Sequence, residues 1–308
     1  MNKFLALLSF FSIPLFAEMT ESNNIDIWYE TFGDKNDPAL LLVMGGCSQG
    51  VLWPIELCQQ FVDNGFYVIR YDNRDTGLST CFDFQKQPYD LLDMAKDAAG
   101  LLDSLEIDKA HVLGFSMGGP ISELLSVHFP EHVSTLTLVS TTCDFRPLNL
   151  ATVGLPPEEG SLPPPSESFL LTIHEFLKFA PQTLEEKLEQ RIALWNIYNG
   201  SKVPLEENST REIHRQYLSR LQSESAVGNH FPAIQRSEEL VRSVPAQVRV
   251  PTLVIHGTED PILYPEHGAA LAASIPGSKY ILVEGMGHVP NSHFFDLIVE
   301  EVTTLAHP

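Results

Sequence analysis

The sequence predicts an α/β protein: a mostly parallel central sheet with helices on both faces and a helical cap inserted over one edge. Three observations predict it. Short unbroken apolar runs alternate with stretches of helical apolar spacing, the pattern of strands buried on both faces and their crossover helices. The rhythm breaks once, over a long segment without a strand run, and then resumes. A Gly-x-Ser-x-Gly turn, Gly114-Phe115-Ser116-Met117-Gly118, lies between one apolar run and one helical run.

The elements follow in order. Lys3 precedes an apolar stretch, Phe4 to Phe16, broken only by Ser9, Ser12 and Pro14 and followed by the small Ala17. This reads as an export signal over residues 1–17, too short to span a bilayer comfortably, so the mature protein is expected to be periplasmic or secreted. The competing reading is an apolar arm packed on the body. Ile25 to Tyr29 alternates like an edge strand, and Ala39 to Val43 is a buried strand. Val51 to Asn64 reads as a helix closed by Gly65, Phe66 to Tyr71 as a strand, and Asp90 to Leu105 as a helix. Ala110 to Leu113 is the strand before the turn, Ile121 to Phe129 the helix after it, and Val133 to Val139 the next strand. Leu155 to Pro165 holds five of the 22 prolines, and Glu167 to Val241 is helical throughout. A strand (Thr252 to His256), a helix (Glu266 to Ser274), a strand (Lys279 to Val283) and a closing helix (Ser292 to Leu305) complete the chain. The expected organisation is a core in two parts, residues 18–143 and 246–308, with a cap at 144–245. An insertion there lies over the strand ends where such sheets bind ligands.

Composition narrows the function. The chain has 308 residues, 44% of them hydrophobic, enough for a large core. Its 19 basic and 40 acidic residues give a net charge of −21 with no basic cluster, which disfavours nucleic acid and anionic lipid surfaces. Cys47, Cys58, Cys81 and Cys143 fit no zinc spacing and are expected to be mostly buried free thiols, although export would permit disulfides. No His, Asp and Glu cluster has convincing metal spacing, so neither metal nor cofactor is expected.

The Gly-x-Ser-x-Gly turn holds a serine hydroxyl at a helix N-terminus, where amides and the helix dipole favour developing negative charge. A serine needs a base to take its proton, and the base needs an acid to fix its tautomer. Both should lie on loops just after strands. Asp260, after the strand ending at His256, is the acid candidate, with Glu259 and Asp144 as competitors. His288, in Glu284-Gly-Met-Gly-His-Val-Pro290, is the base candidate, with His293 behind it. The backbone N–H of Met117 and that of Gly46, or a neighbour in Met44-Gly-Gly-Cys-Ser48, are candidate oxyanion donors. Arg74, in Tyr71-Asp-Asn-Arg-Asp-Thr-Gly-Leu-Ser79, is expected to be structural, bridging carboxylates and loop carbonyls. Phe176, Phe179, Trp195, Tyr198 and Tyr217 are candidates for pocket lining or cap core.

These residues resemble the α/β-hydrolase superfamily across nearly the whole mature chain. Within it, Leu-Leu-Val-Met-Gly-Gly (Leu41 to Gly46), Val-Ile-Arg-Tyr-Asp-Asn-Arg-Asp-Thr-Gly-Leu-Ser (Val68 to Ser79) and Gly-Phe-Ser-Met-Gly (Gly114 to Gly118) resemble the aclacinomycin methylesterase subgroup. The superfamily usually has His-Gly at Met44-Gly45 and Gly at Asp75, and both departures look shared with that subgroup. The resemblance implies oxyanion donation by Gly46 and Met117 and hydrolysis of a small-molecule carboxylic ester without a cofactor. A proline-iminopeptidase-like aminopeptidase is an alternative, needing cap carboxylates such as Glu175, Glu185, Glu186, Glu189 or Glu212 to bind an ammonium. A non-catalytic binding protein on the same fold is another.

Overall fold

A computed structural model describes residues 16–307. Its strands are β1 (Phe16–Ser22), β2 (Ile25–Phe32), β3 (Ala39–Val43), β4 (Tyr67–Tyr71), β5 (Ala110–Phe115), β6 (Val133–Val139), β7 (Thr252–Gly257) and β8 (Lys279–Val283). They form one eight-stranded sheet in the order β1-β2-β4-β3-β5-β6-β7-β8. The strands from β3 to β8 run parallel, while β2 pairs antiparallel with both β1 and β4. Chain order reverses direction at β3, with β4 on one side and β5 on the other. That reversal opens a crevice between the loops leaving β3 and β5.

Alternate residues of the strands feed two cores. Leu41, Val43 and Ile69 pack beneath α2 (Leu91–Ser104), α3 (Gly118–His128) and α11 (Pro265–Ser274). Leu40, Leu42, Val68 and Leu113 face α1 (Ile55–Asp63) and α12 (Phe295–Ala306) on the other side. Asp90 starts α2 with a capping box, its carboxylate accepting from the Leu92 and Asp93 amides. Between β6 and β7 the described chain forms only helices and loops. These helices are α4 (Arg146–Thr152), α5 (Glu167–Leu177), α6 (Leu184–Tyr198), α7 (Glu207–Ser219), α8 (Glu224–Val227), α9 (His230–Arg236) and α10 (Glu238–Ser243).

Two expectations need correction. Ile25 to Tyr29 is not an edge strand, because β1 pairs along its outer side and Ile27, Trp28 and Tyr29 are all buried. The helix expected from Val51 is broken: Gly50–Leu52 make a single 3₁₀ turn, and Pro54, without an N–H to donate, stands just ahead of α1. Most of the predicted export signal, residues 1–15, lies outside the described residues. Ala17 itself pairs with Glu30 in β1. All four cysteines are free thiols. No described helix is long and apolar enough to cross a membrane.

Candidate active site

Ser116 occupies the tight turn between β5 and α3 with φ at 51°, a left-handed conformation uncommon for a residue with a Cβ. Hydrogen bonds hold the turn: the Ser116 amide donates to the Val139 carbonyl (3.0 Å), and the Gly119 amide and Thr141 hydroxyl donate to the Ser116 carbonyl (2.9 and 2.7 Å). The turn demands small neighbours. A Cβ on Gly114 would stand 2.4 Å from the Gly118 carbonyl oxygen, and one on Gly118 would stand 2.1 Å from that of Val43.

The loops after β7 and β8 bring the two expected partners to this serine. Nε2 of His288 lies 3.1 Å from Oγ of Ser116, and its Nδ1 lies 2.7 Å from Oδ2 of Asp260. The other Asp260 oxygen accepts from the backbone amides of Ile262 and Leu263, both at 2.9 Å. Burial alone would raise the Asp260 carboxyl, but the adjacent His288 and hydrogen bonds from His256 and His288 outweigh it and hold it well below the usual carboxylate range. Ionised Asp260 therefore accepts from Nδ1–H of His288, which leaves Nε2 free to take a proton from the serine. His256 went unnoticed in the sequence. It lies near the end of β7 with Nε2 3.4 Å from Asp260 Oδ2 and 2.7 Å from the Leu263 carbonyl, and nothing in its local pattern separates it from ten other histidines.

The loop after β3 closes the other side of the crevice. A Cβ on Gly46 would lie 3.5 Å from the Met117 sulfur, so this loop runs beside the start of α3. Among the described residues, neither the Gly46 nor the Met117 amide donates to a protein acceptor. Cys47 is fixed from the cap: its amide donates to His230 Nδ1 (2.9 Å), and its carbonyl accepts from the Tyr217 hydroxyl (3.1 Å). Burial pushes the Cys47 thiol up to about 12, so it stays protonated at neutral pH. The cap also grips the loop that carries His288. The His288 amide donates to the Tyr198 carbonyl (2.8 Å), and Asn291 donates to Asn199 Oδ1 (3.0 Å) and the Val203 carbonyl (3.2 Å).

The competing candidates lie elsewhere. Glu259 pairs with Lys202 (3.0 Å), Asp144 with Arg146 (2.6 Å), and His293 packs on Phe294. Arg74 binds one carboxylate, Asp97, through two bonds of 2.6 Å, and its guanidinium stacks over Tyr89. Asp75 takes φ of 67° where glycine is usual, and its carboxylate fastens the loop by accepting from the Phe82 amide (2.6 Å) and the Tyr89 hydroxyl (2.7 Å). Glu175, Glu185, Glu189 and Glu212 are exposed and paired with Lys178, Arg211 or Arg215, and Glu186 caps α6. Of the aromatic candidates, Tyr217 is buried, Trp195, Tyr198 and Phe176 are half-buried, and Phe179 is exposed. No group of three or more His, Cys, Asp or Glu among the described residues forms a metal cage. A cleft of about 340 Å³ opens between the turn at Gly50–Leu52, α7 and Pro290, but neither Ser116, Asp260 nor His288 lines it.

Known proteins share this architecture. Residues 38–292 match the family described as alpha/beta hydrolase fold. Rhodomycin D methylesterase DnrP of Streptomyces peucetius is 36% identical, the match covering 88% of this chain and 92% of that one. The 3-oxoadipate enol-lactonase 2 of Acinetobacter baylyi is 24% identical over 90% of this chain and 91% of its own. Among solved structures, a 2-hydroxy-6-oxo-6-phenylhexa-2,4-dienoate hydrolase from Rhodococcus sp. strain RHA1 superposes with a TM-score of 0.74 at 17% identity, covering 96% of this chain and all of that one. The aligned lengths span both parts of the core and the helices between them, and the chain belongs to the alpha/beta hydrolase fold family.

Proposed function

We propose that the protein hydrolyses carboxylic esters through a serine acyl-enzyme. The observation that carries this reading is the continuous chain Ser116 Oγ, His288 Nε2, His288 Nδ1 and Asp260 Oδ2, with gaps of 3.1 and 2.7 Å. In this reading Ser116 Oγ attacks the ester carbonyl while His288 Nε2 takes its proton. The tetrahedral oxyanion accepts from the amides of Met117 and Gly46, each worth about 3 kcal/mol of transition-state stabilisation. The adjacent N-terminus of α3 favours the same charge. His288 then protonates the departing alcohol. Water, deprotonated by His288, attacks the acyl-enzyme and releases the acid. Asp260 stays ionised throughout and stabilises the imidazolium.

The 36% identity to a methylesterase supports methyl or other small-alcohol esters of a bulky acyl group as substrates. The amino-terminal pattern supports export, which N-terminal sequencing of the mature protein would test; an intact Met1 on protein recovered from the native host refutes it. The catalytic reading is tested with p-nitrophenyl esters and a fluorophosphonate probe. Wild type is expected to turn over the esters and to label. Ser116→Ala is expected to do neither, and labelling that survives in that variant refutes Ser116 as nucleophile.

A further inference from the structure

We infer that Arg191, on cap helix α6, recognises a carboxylate carried by the substrate beside the scissile ester, so that half-esters of dicarboxylic acids are the preferred substrate class. This rests on the ester-hydrolase reading and specifies its substrate. Arg191 lies close to Cys47, in the loop that follows β3. Its guanidinium carbon sits 3.4 Å above the Tyr217 ring, and the Tyr217 hydroxyl donates to the carbonyl of Cys47, next to Gly46. The same helix ends at Tyr198, whose carbonyl holds the His288 amide. One helix thus carries Arg191 near the oxyanion loop and touches the base. Ser116, Cys47, Arg191 and Tyr198 are each half-buried, so none is sealed from solvent.

The charge of Arg191 is unmatched. Among the described residues, every other buried or half-buried Arg or Lys has a carboxylate within 4 Å: Arg70, Arg74, Arg146, Lys187, Arg211 and Arg220. Arg191 has none, and its Nε is buried without a hydrogen-bond partner. Its neighbours do not neutralise it. Burial and the nearby Arg191 push the His214 imidazole down to about 3, the Cys47 thiol is protonated, and burial raises both Tyr198 and Tyr217. His214 adds a second observation: it is fully buried against Trp195, and neither ring nitrogen has a partner. Unmet polar capacity is therefore concentrated here. A half-buried guanidinium is costly when unpaired, and its planar fork of donors matches a carboxylate. The local positive charge also offsets the average field of a chain with net charge −21.

The test compares monomethyl with dimethyl esters of succinate, glutarate and phthalate. The wild-type ratio of kcat/KM, half-ester over diester, is expected to exceed one for at least one pair. Charge-assisted hydrogen bonding predicts that Arg191→Gln lowers this ratio roughly 10- to 100-fold and that Arg191→Lys restores part of it. A structural defect would lower both rates and leave the ratio unchanged. An unchanged ratio in Arg191→Gln, or wild type that favours the diester in every pair, overturns the inference. Thermal shifts of Ser116→Ala with free glutarate and phthalate provide an arm independent of turnover. A shift that Arg191→Gln abolishes in that background supports the site even if no ester is cleaved, a result that sinks the esterase reading alone. No shift with either diacid, together with an unchanged or absent ratio, overturns the inference.

Discussion

Glu123 makes a sharp test of buried charge in this fold. It lies on α3, two turns beyond Ser116, is fully buried, and neither carboxyl oxygen has a partner. Burial pushes its carboxyl well above the usual carboxylate range, so the native state keeps it protonated where the unfolded chain releases the proton. The native state then binds more protons than the unfolded state. Stability therefore falls as pH rises above the unfolded value near 4.3, by about 1.4 kcal/mol per pH unit, until the native carboxyl ionises. The loss continues only as far as the raised native value of this one group. Glu123→Gln replaces the protonated acid with a neutral isostere of the same shape. The variant is expected to match wild type near pH 4 and to gain on it as pH rises, by up to about 1.4 kcal/mol per pH unit. For a chain of this size each such step corresponds to roughly 2 to 3 °C in Tm. Urea unfolding of both proteins at pH 4, 5, 6 and 7 measures it. A difference between the two that does not change with pH refutes the argument.

Two further substitutions probe the site. Asp260→Asn keeps the acceptor for the Ile262 and Leu263 amides but presents an NH₂ to His288, turning the imidazole to the wrong tautomer; kcat on p-nitrophenyl esters should fall about 10⁴-fold, and a loss under tenfold contradicts the orienting role. Gly118→Ala places a methyl 2.1 Å from the Val43 carbonyl oxygen, so a destabilisation of a few kcal/mol is expected in denaturant unfolding, and wild-type stability would show that the turn relaxes freely.

The sheet was legible because parallel strands buried on both faces leave unbroken apolar runs, such as Ala39 to Val43. The loops around Ser116, Asp260 and His288 were legible because each directly follows such a run. β1 was not. Its residues Ala17, Glu18 and Met19 are exposed, so it is a strand through pairing with β2 and not through any apolar face. The cap read only as helical, because several of its helices span four to seven residues, too short for a period to register. The meeting of Arg191, His214 and Tyr217 with Cys47 depends on contacts far apart in the chain, for which a single sequence carries no local signal.

The bonds from His288 and Asn291 to the Tyr198–Val203 segment bear on how this enzyme class diversifies. A cap that only roofed the crevice would be an exchangeable module, free to drift or to be swapped for another specificity. Here the backbone that leaves α6 is also the scaffold of the loop carrying the imidazole, and a Cβ at Gly287 would meet the Asn199 carbonyl oxygen at 1.9 Å. The two are therefore inherited together: a transplanted cap would have to bring residues 287–291 with it, and a mutation that reshapes the roof will be felt first in the placement of His288.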